Sequence, residues 1–335
     1  MAALFRLLSL LPLSWLHALG ALVGRLAYRL SPVYRAHLEE NLALAYPPEA
    51  AARLVPEAVA EAGKGMLELP KVWLRPLEEA AGRVVRVTGW ELVEAAWAEG
   101  RGIIFLTPHL GCFEVTAQYY AAHCRPESPI TVLYRPPKQA WLEPLIVQGR
   151  ARDQRLQLAP ADLSGVRHLL RALKRKEAVG MLPDQAPGAG EGKWLDFFGR
   201  PAYTMTLAAR LSETGARVLL AYAERLPGGR GFHLHLQETL RPLEGPTEVR
   251  AAQINQELEG LIRQCPSQYL WGYNRYKRPS GAEPPPGAAT APSPAPATGW
   301  HVAPATPDSP DAPAATAGMS PSNPGPVPAA GEERP

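Results

Sequence analysis

Cysteine is scarce: Cys112, Cys124 and Cys265 are the only three in 335 residues. They are too few and too scattered for a disulfide framework or a cysteine-built zinc site, and they read as reduced thiols of a cytosol-facing domain. A charge excess is missing as well. The 35 basic and 32 acidic residues leave a formal charge of +3, which decides little by itself and gives no reason to expect a nucleic-acid partner. Aliphatic side chains all but vanish from Ser280 to Pro335, where Pro, Ala, Gly, Ser and Thr take over and fifteen of the 37 prolines fall. A segment of that composition cannot offset its ordering entropy by burial, so residues 280–335 are expected to be disordered.

What is present is enough for one large core. Hydrophobic residues make up 46% of the chain, and residues 31–279 are expected to form a single sizeable domain. Ahead of it, Leu7–Gly24 is an apolar run interrupted only by serines, Pro12 and His17. At eighteen residues it is about the shortest stretch able to span a bilayer. A signal peptide is disfavoured because Arg25 and Arg29 follow the run instead of a small-residue cleavage site. Residues 1–30 are therefore expected to be a single membrane anchor, with a buried or interfacial helix as the alternative. Arg6 precedes the run and Arg25, Arg29 and Arg35 follow it, which places the body of the protein in the cytoplasm.

Residues 31–80 read as helical, with apolar positions such as Leu54, Val55, Ala58, Ala62, Met66 and Leu69 near the 3.6 period. Strands and helices then alternate. Strands are expected over 83–88, 102–106, 130–135, 155–158 and 178–182, with helices over 90–98, 113–123, 141–152 and 164–176 between or after them. The stretch 194–198 leads to a helix over 205–214, and a hairpin over 217–225 and 232–240 precedes a closing helix over 249–265. Alternation with one hairpin implies an α/β fold with a mixed sheet flanked by helices.

Chemistry-bearing residues gather at the ends of the expected strands. His109 follows Thr107-Pro108 directly, and Glu114 opens the next helix. With Pro108 and Gly111 making a turn, the carboxylate can hold one imidazole nitrogen and leave the other to take a hydroxyl proton; a capping arrangement with a satisfied histidine is the alternative. Cys112, inside this turn, reads as packing before it reads as a nucleophile. Tyr134-Arg135-Pro136-Pro137-Lys138 ends another strand, where Arg135 is either a phosphate holder or a surface arginine. Asp184-Gln185 ends a third, and Asp184 is either a site residue on the rim of His109 or a turn initiator. Over 164–176, Val166, Leu169, Leu170 and Leu173 form an apolar stripe opposite Arg167, Arg171, Lys174 and Arg175: a solvated face, or a dock for an acidic partner or anionic headgroups. Finally, Gln268–Lys277 is aromatic and basic together, fitting a pocket mouth, a membrane interface or a core-closing segment.

In their order, these blocks resemble the bacterial lipid A biosynthesis acyltransferase family, the late lauroyl and myristoyl transferases. The blocks are an N-terminal membrane helix, His109-Leu-Gly-Cys-Phe-Glu114, Tyr134-Arg135-Pro136, Asp184-Gln185 through Phe197-Phe198-Gly199, and Trp271-Gly-Tyr-Asn-Arg275. The resemblance covers about residues 5–279. Cys112-Phe113 stands where the family often has Asn-Trp. The glycerolipid acyltransferases share the histidine-and-acid turn and the expected fold, but their Glu-Gly-Thr/Ser block is replaced here by Asp184-Gln185. The resemblance implies a membrane-bound O-acyltransferase of the bacterial inner membrane, single-pass with its catalytic domain in the cytoplasm. It implies the thioester of acyl carrier protein as donor, a hydroxyl of a lipid A precursor as acceptor, and no bound cofactor or metal. In that scheme Glu114 orients His109, His109 is the base, and Arg135, Asp184, Gln185 and Arg275 bind substrate. An acyltransferase for another glycolipid or aminolipid, or a non-catalytic membrane lipid-binding protein, are the competing readings.

Overall fold

A computed structural model describes residues 2–135, 143–151 and 154–286. The expected tail lies outside the described residues from 287 onward. Its first residues are part of the packed body, because Ala282 is buried and the Glu283 carbonyl accepts from Trp194 Nε1 at 2.8 Å.

The N-terminal region is helical: α1 (Ala2–Leu10), α2 (Leu13–Leu30), α3 (Pro32–Ala45), α4 (Pro48–Leu74) and α5 (Leu77–Ala81). The α/β part then runs β1 (Val84–Thr88), α6 (Trp90–Ala98), β2 (Ile103–Leu106), α7 (Phe113–His123), β3 (Ile130–Tyr134), α8 (Glu143–Arg150), β4 (Leu156–Pro160), α9 (Leu163–Lys174) and β5 (Ala178–Met181). It closes with β6 (Gly192–Phe197), β7 (Arg200–Met205), α10 (Leu207–Ser212), β8 (Arg217–Arg225), β9 (Phe232–Glu238) and α11 (Thr247–Gln264). The main sheet has seven strands in the order β1-β9-β8-β2-β5-β3-β4. All neighbours are parallel except β8 and β9, which is the mixed sheet and hairpin expected from the sequence. Central strands β2 and β5 are buried along their whole length, as parallel strands covered on both faces must be.

Two differences from the sequence reading stand out. The stretch after residue 191 forms a separate antiparallel ribbon, β6 with β7, turning at Phe198 and Gly199, both with positive φ. An Asp-Phe-Phe-Gly-Arg run gives little strand alternation, so only its first half is legible. The second difference is the N-terminus. Among the described residues, no helix is long and apolar enough to cross a membrane. The expected spanning run is broken at Leu11-Pro12 into two helices, and α2 lies along α4.

The α2–α4 contact explains why this segment stays with the protein. Gly20 and Gly24 face Gly63 of α4 so closely that a Cβ on Gly63 would fall 2.0 Å from the Gly20 carbonyl oxygen. His17 Nε2 lies 2.9 Å from Glu68, and the Lys71 ammonium donates to the Ser9 and Leu11 carbonyls where the chain breaks. Glu68 in turn takes a bidentate pair of bonds from Arg225 at the end of β8, at 2.6 and 2.8 Å, and Arg225 also meets Glu61 at 2.6 Å. Buried polar groups of this kind are tolerated only when paired. Burial pushes the Glu68 carboxyl up, but Arg225 and His17 outweigh it and bring the group down to about 2.

Candidate active site

The site is positioned by strand register. Strands β2 and β5 are parallel neighbours, with Leu106 opposite Met181. His109 stands three residues past Leu106, and Asp184 three past Met181, so the two loops deliver both side chains to one point above the carboxyl edge of the sheet. Arg135 leaves the next strand, β3, on the same rim. Ligands of open α/β sheets collect at this edge.

His109 is held from three sides. Its Nδ1 lies 2.8 Å from Asp184 Oδ1, and its backbone N–H donates to Asp184 Oδ2 at 2.9 Å. The amide of Gln185 donates to Nε2 at 3.1 Å. A proton on Nδ1 satisfies all of these contacts at once, with the Nε2 lone pair accepting from Gln185. The Phe113 ring packs against the imidazole at 4.8 Å.

Asp184 is buried to 1% exposure. Burial disfavours its charge, yet the His109 ring and backbone N–H together hold its carboxyl below the usual aspartate value. Burial, and then the Asp184 charge, raise the Tyr269 hydroxyl well above the ordinary tyrosine range.

The turn carrying His109 is fixed by backbone. Gly111 has φ +61, and a Cβ there would sit 2.0 Å from the Ala223 carbonyl oxygen, so only glycine fits. Its N–H donates to the Gln268 carbonyl at 3.0 Å, and the His109 carbonyl accepts from Leu270 at 3.0 Å. The segment 268–270 is thus laced along the His109 turn.

Several sequence expectations change here. Glu114 does not hold His109: both ring nitrogens are taken by Asp184 and Gln185, and Glu114 accepts from Arg150 of α8, through Nε at 2.9 Å and through a second guanidinium nitrogen. Glu114 opens α7 and points to the α8 side, whereas His109 leans toward β5. The partner supplied by β5 was missed because a contact across 75 positions leaves no local spacing. Arg275 is not at the surface of the cleft. It is 2% exposed, donates to the Tyr203 carbonyl and Thr204 Oγ1 at 2.8 Å each, and lies over the Phe197 ring. Its cation acts from behind, as one of the charges that keep Asp184 ionised. Arg135 is exposed on the rim and pairs with Glu191 at 3.2 Å; Pro136, Pro137 and Lys138 lie outside the described residues. Cys112 is 2% exposed, and burial drives its thiol far above the ordinary value, which suits packing and not nucleophilic attack.

The cleft above His109 is bounded by Arg135, Arg150, Gln185 and Met205 and has a void of about 230 Å³. Sharing Leu133, Arg135, Pro187 and Met205 with it, a groove of about 440 Å³ runs between α9 and α10, lined by Leu163, Val166, Leu170, Leu207 and Leu211. A narrow apolar cavity shares Phe113, Leu133, Arg150 and Leu182 with the cleft and has Glu114 in its wall. A histidine fixed by a buried carboxylate, in a cleft that adjoins two apolar spaces and two arginines, can accommodate a lipid substrate carrying a reactive carbonyl or an anionic group.

Comparison with known proteins agrees with that chemistry. The lipid A biosynthesis lauroyltransferase of Escherichia coli K12 is 29% identical over 281 residues, covering 81% of this chain and 88% of the relative. The palmitoleoyltransferase of the same organism is 26% identical over 279 residues, with the same coverages. Its myristoyltransferase is 25% identical over 260 residues, covering 75% and 77%. The family profile described as bacterial lipid A biosynthesis acyltransferase matches residues 1–278. The chain therefore belongs to the bacterial lipid A biosynthesis acyltransferase family, and it is an acyltransferase.

Proposed function

We propose that the protein transfers a fatty acyl group from the thioester of acyl carrier protein to a hydroxyl of a lipid A precursor, with His109 as general base. The observation that carries this reading is the His109 ring itself, fixed by Asp184 on one nitrogen and bonded on the other to Gln185, with His109 and Gln185 both lining the cleft. A substrate hydroxyl displaces the Gln185 amide from Nε2. His109 takes the hydroxyl proton as the oxygen attacks the thioester carbonyl; collapse of the tetrahedral intermediate expels the thiolate, which recovers the proton from the imidazolium. Asp184 stabilises that imidazolium and fixes its tautomer. Glu114 acts through Arg150, holding a cation at the wall of the cleft where an oxyanion or a phosphate would sit. Arg135 on the rim would take a phosphate of the acceptor.

The groove between α9 and α10 is the larger of the two apolar spaces and is the proposed seat of an acyl chain. On its outer side α9 presents Arg167, Arg171 and Lys174 to solvent while Leu169, Ala172 and Leu173 are buried. That basic face is the proposed dock for the acidic carrier protein.

The protein is proposed to lie on the inner membrane instead of spanning it. One face of α2 is spent on α4, and the other shows Trp15, Leu19, Leu22, Leu26 and Leu30 to the exterior, continued by Leu4, Leu7 and Leu10 of α1. With Arg25 and Arg29 beside it, this stripe has the make-up of an in-plane interfacial helix.

The experiment is transfer of a labelled acyl group from acyl carrier protein to a lipid A precursor by purified protein. His109→Ala is expected to lower turnover by roughly 10²- to 10⁴-fold while lipid binding persists. Full transfer by that variant would overturn the assignment of the base.

A further inference from the structure

Outside the catalytic cleft, one group of side chains is arranged as a ligand set. In the β8–β9 pair, Glu224 stands opposite His233 and Tyr222 opposite His235. Side chains alternate along a strand, so Glu224, His233 and His235 share one face of the sheet. Leu234 and Leu236, which line the apolar cavity, take the other. The Glu224 carboxylate oxygen Oε2 lies 3.1 Å from His235 Nε2 and 3.8 Å from His233 Nδ1. One ligand atom from each of the three residues falls within 4.8 Å of the others.

From these distances we propose that Glu224, His233 and His235 bind a divalent transition-metal ion of the zinc class, at a site separate from the acyl-transfer centre. Metal–ligand bonds of about 2.0–2.1 Å at tetrahedral angles put ligand atoms about 3.3 Å apart; the two carboxylate-to-imidazole distances bracket that value. Two imidazoles and one carboxylate are a donor set that suits zinc and its neighbours better than calcium or magnesium.

The surroundings support the ligands as outer partners do in metal sites. The Thr88 hydroxyl of β1 lies 2.8 Å from His233 Nε2. Accepting a proton there, it leaves the Nδ1 lone pair for the ion and fixes the ring. The His235 ring is stacked on Tyr222, centroids 4.5 Å apart and planes within 5°. The two imidazole centroids are only 3.8 Å apart, a spacing at which one ion can reach both rings. Side-chain exposures of 36%, 10% and 22% for Glu224, His233 and His235 leave a path for an ion to enter. Arg86, opposite His233 on β1, is a nearby positive charge, but it is exposed and screened by solvent.

The test uses full-length protein without an affinity tag, stripped with chelator and titrated with Co²⁺ as a visible probe, then with Zn²⁺ in competition. The expected result is one saturable cobalt per chain with d–d absorption bands, displaced by zinc. Glu224→Gln and His235→Gln are each expected to weaken binding at least tenfold, and Thr88→Val, which touches no ligand atom, by about tenfold. Circular dichroism and thermal melts establish that each variant is folded; Glu224 is exposed enough for its variant to serve if a histidine variant fails. Equal cobalt affinity in wild type and Glu224→Gln, or no saturable binding in the micromolar range, would overturn the proposal. Acyl transfer is not the readout, so failure here leaves the catalytic assignment standing.

Discussion

At the scale of the residue, the proposed reaction rests on the pair His109 and Asp184. A buried carboxylate kept ionised by its own partner is worth most when it remains charged at every working pH, and Asp184 meets that condition because its carboxyl lies below the usual range. Asp184→Asn keeps the size of the side chain but offers the ring an amide that satisfies either tautomer. Turnover is expected to fall by on the order of 10²–10⁴-fold with little change in KM for the acyl donor; steady-state kinetics would measure both. A pure rise in KM would mean that Asp184 shapes binding and not the base. The position of the histidine was legible in the sequence, since a strand ending in Thr-Pro-His-x-Gly puts the imidazole on a tight turn at the strand's carboxyl end. Its partner was legible as a second block on the same rim, read as binding substrate and not as holding the ring. Glu114, five residues away, drew the assignment because sequence makes near neighbours visible and strand neighbours invisible.

At the scale of the element, the strands and most helices of the α/β part follow from periodicity and from glycine and proline punctuation. The N-terminal run does not, because composition alone cannot say whether a leucine faces lipid or another helix. Gly20, Gly24 and Gly63 settle that in favour of α4, since only glycines allow the two backbones to approach so closely. The Arg225–Glu68–His17 network then makes stability depend on pH. Glu68 is ionised in the folded state down to about 2, below its ordinary value of 4.5. Its contribution is therefore fully present above pH 4.5 and is lost as the pH falls toward 2. Denaturant midpoints should drop across that window by an amount worth a few kcal/mol, and Arg225→Met, which leaves Glu61 and Glu68 buried without their cation, should cost about 3–5 kcal/mol at neutral pH. An Arg225→Met protein as stable as wild type would contradict this account of the network. The His-x-His pattern in β9 was equally present in the sequence, but Glu224 and Thr88 join it only through the sheet.

At the scale of the whole molecule, the protein has a catalytic edge, a basic helix beside the groove and an apolar stripe along its N-terminal helices. The stripe is more than single exposed leucines, which any protein shows; it repeats every three to four residues within α1 and within α2. The double change Leu22→Glu and Leu26→Glu keeps the α4 contact intact and is expected to abolish flotation with anionic vesicles while leaving the thermal melt within a few degrees of wild type. Flotation unchanged by both charges would remove the stripe from the membrane reading and leave the aromatic and basic segment 268–277 as the surface to test.

The register of β2 against β5 also has a bearing on how the enzyme fails. His109 and Asp184 follow two neighbouring strands that are buried along their whole length, so their pairing is expected to be lost when the centre of the sheet opens. Exchange of the His109 amide proton, which is bonded to Asp184, should be among the slowest in the chain. Heat inactivation and global unfolding should then follow a single curve, with no inactive but folded state between them.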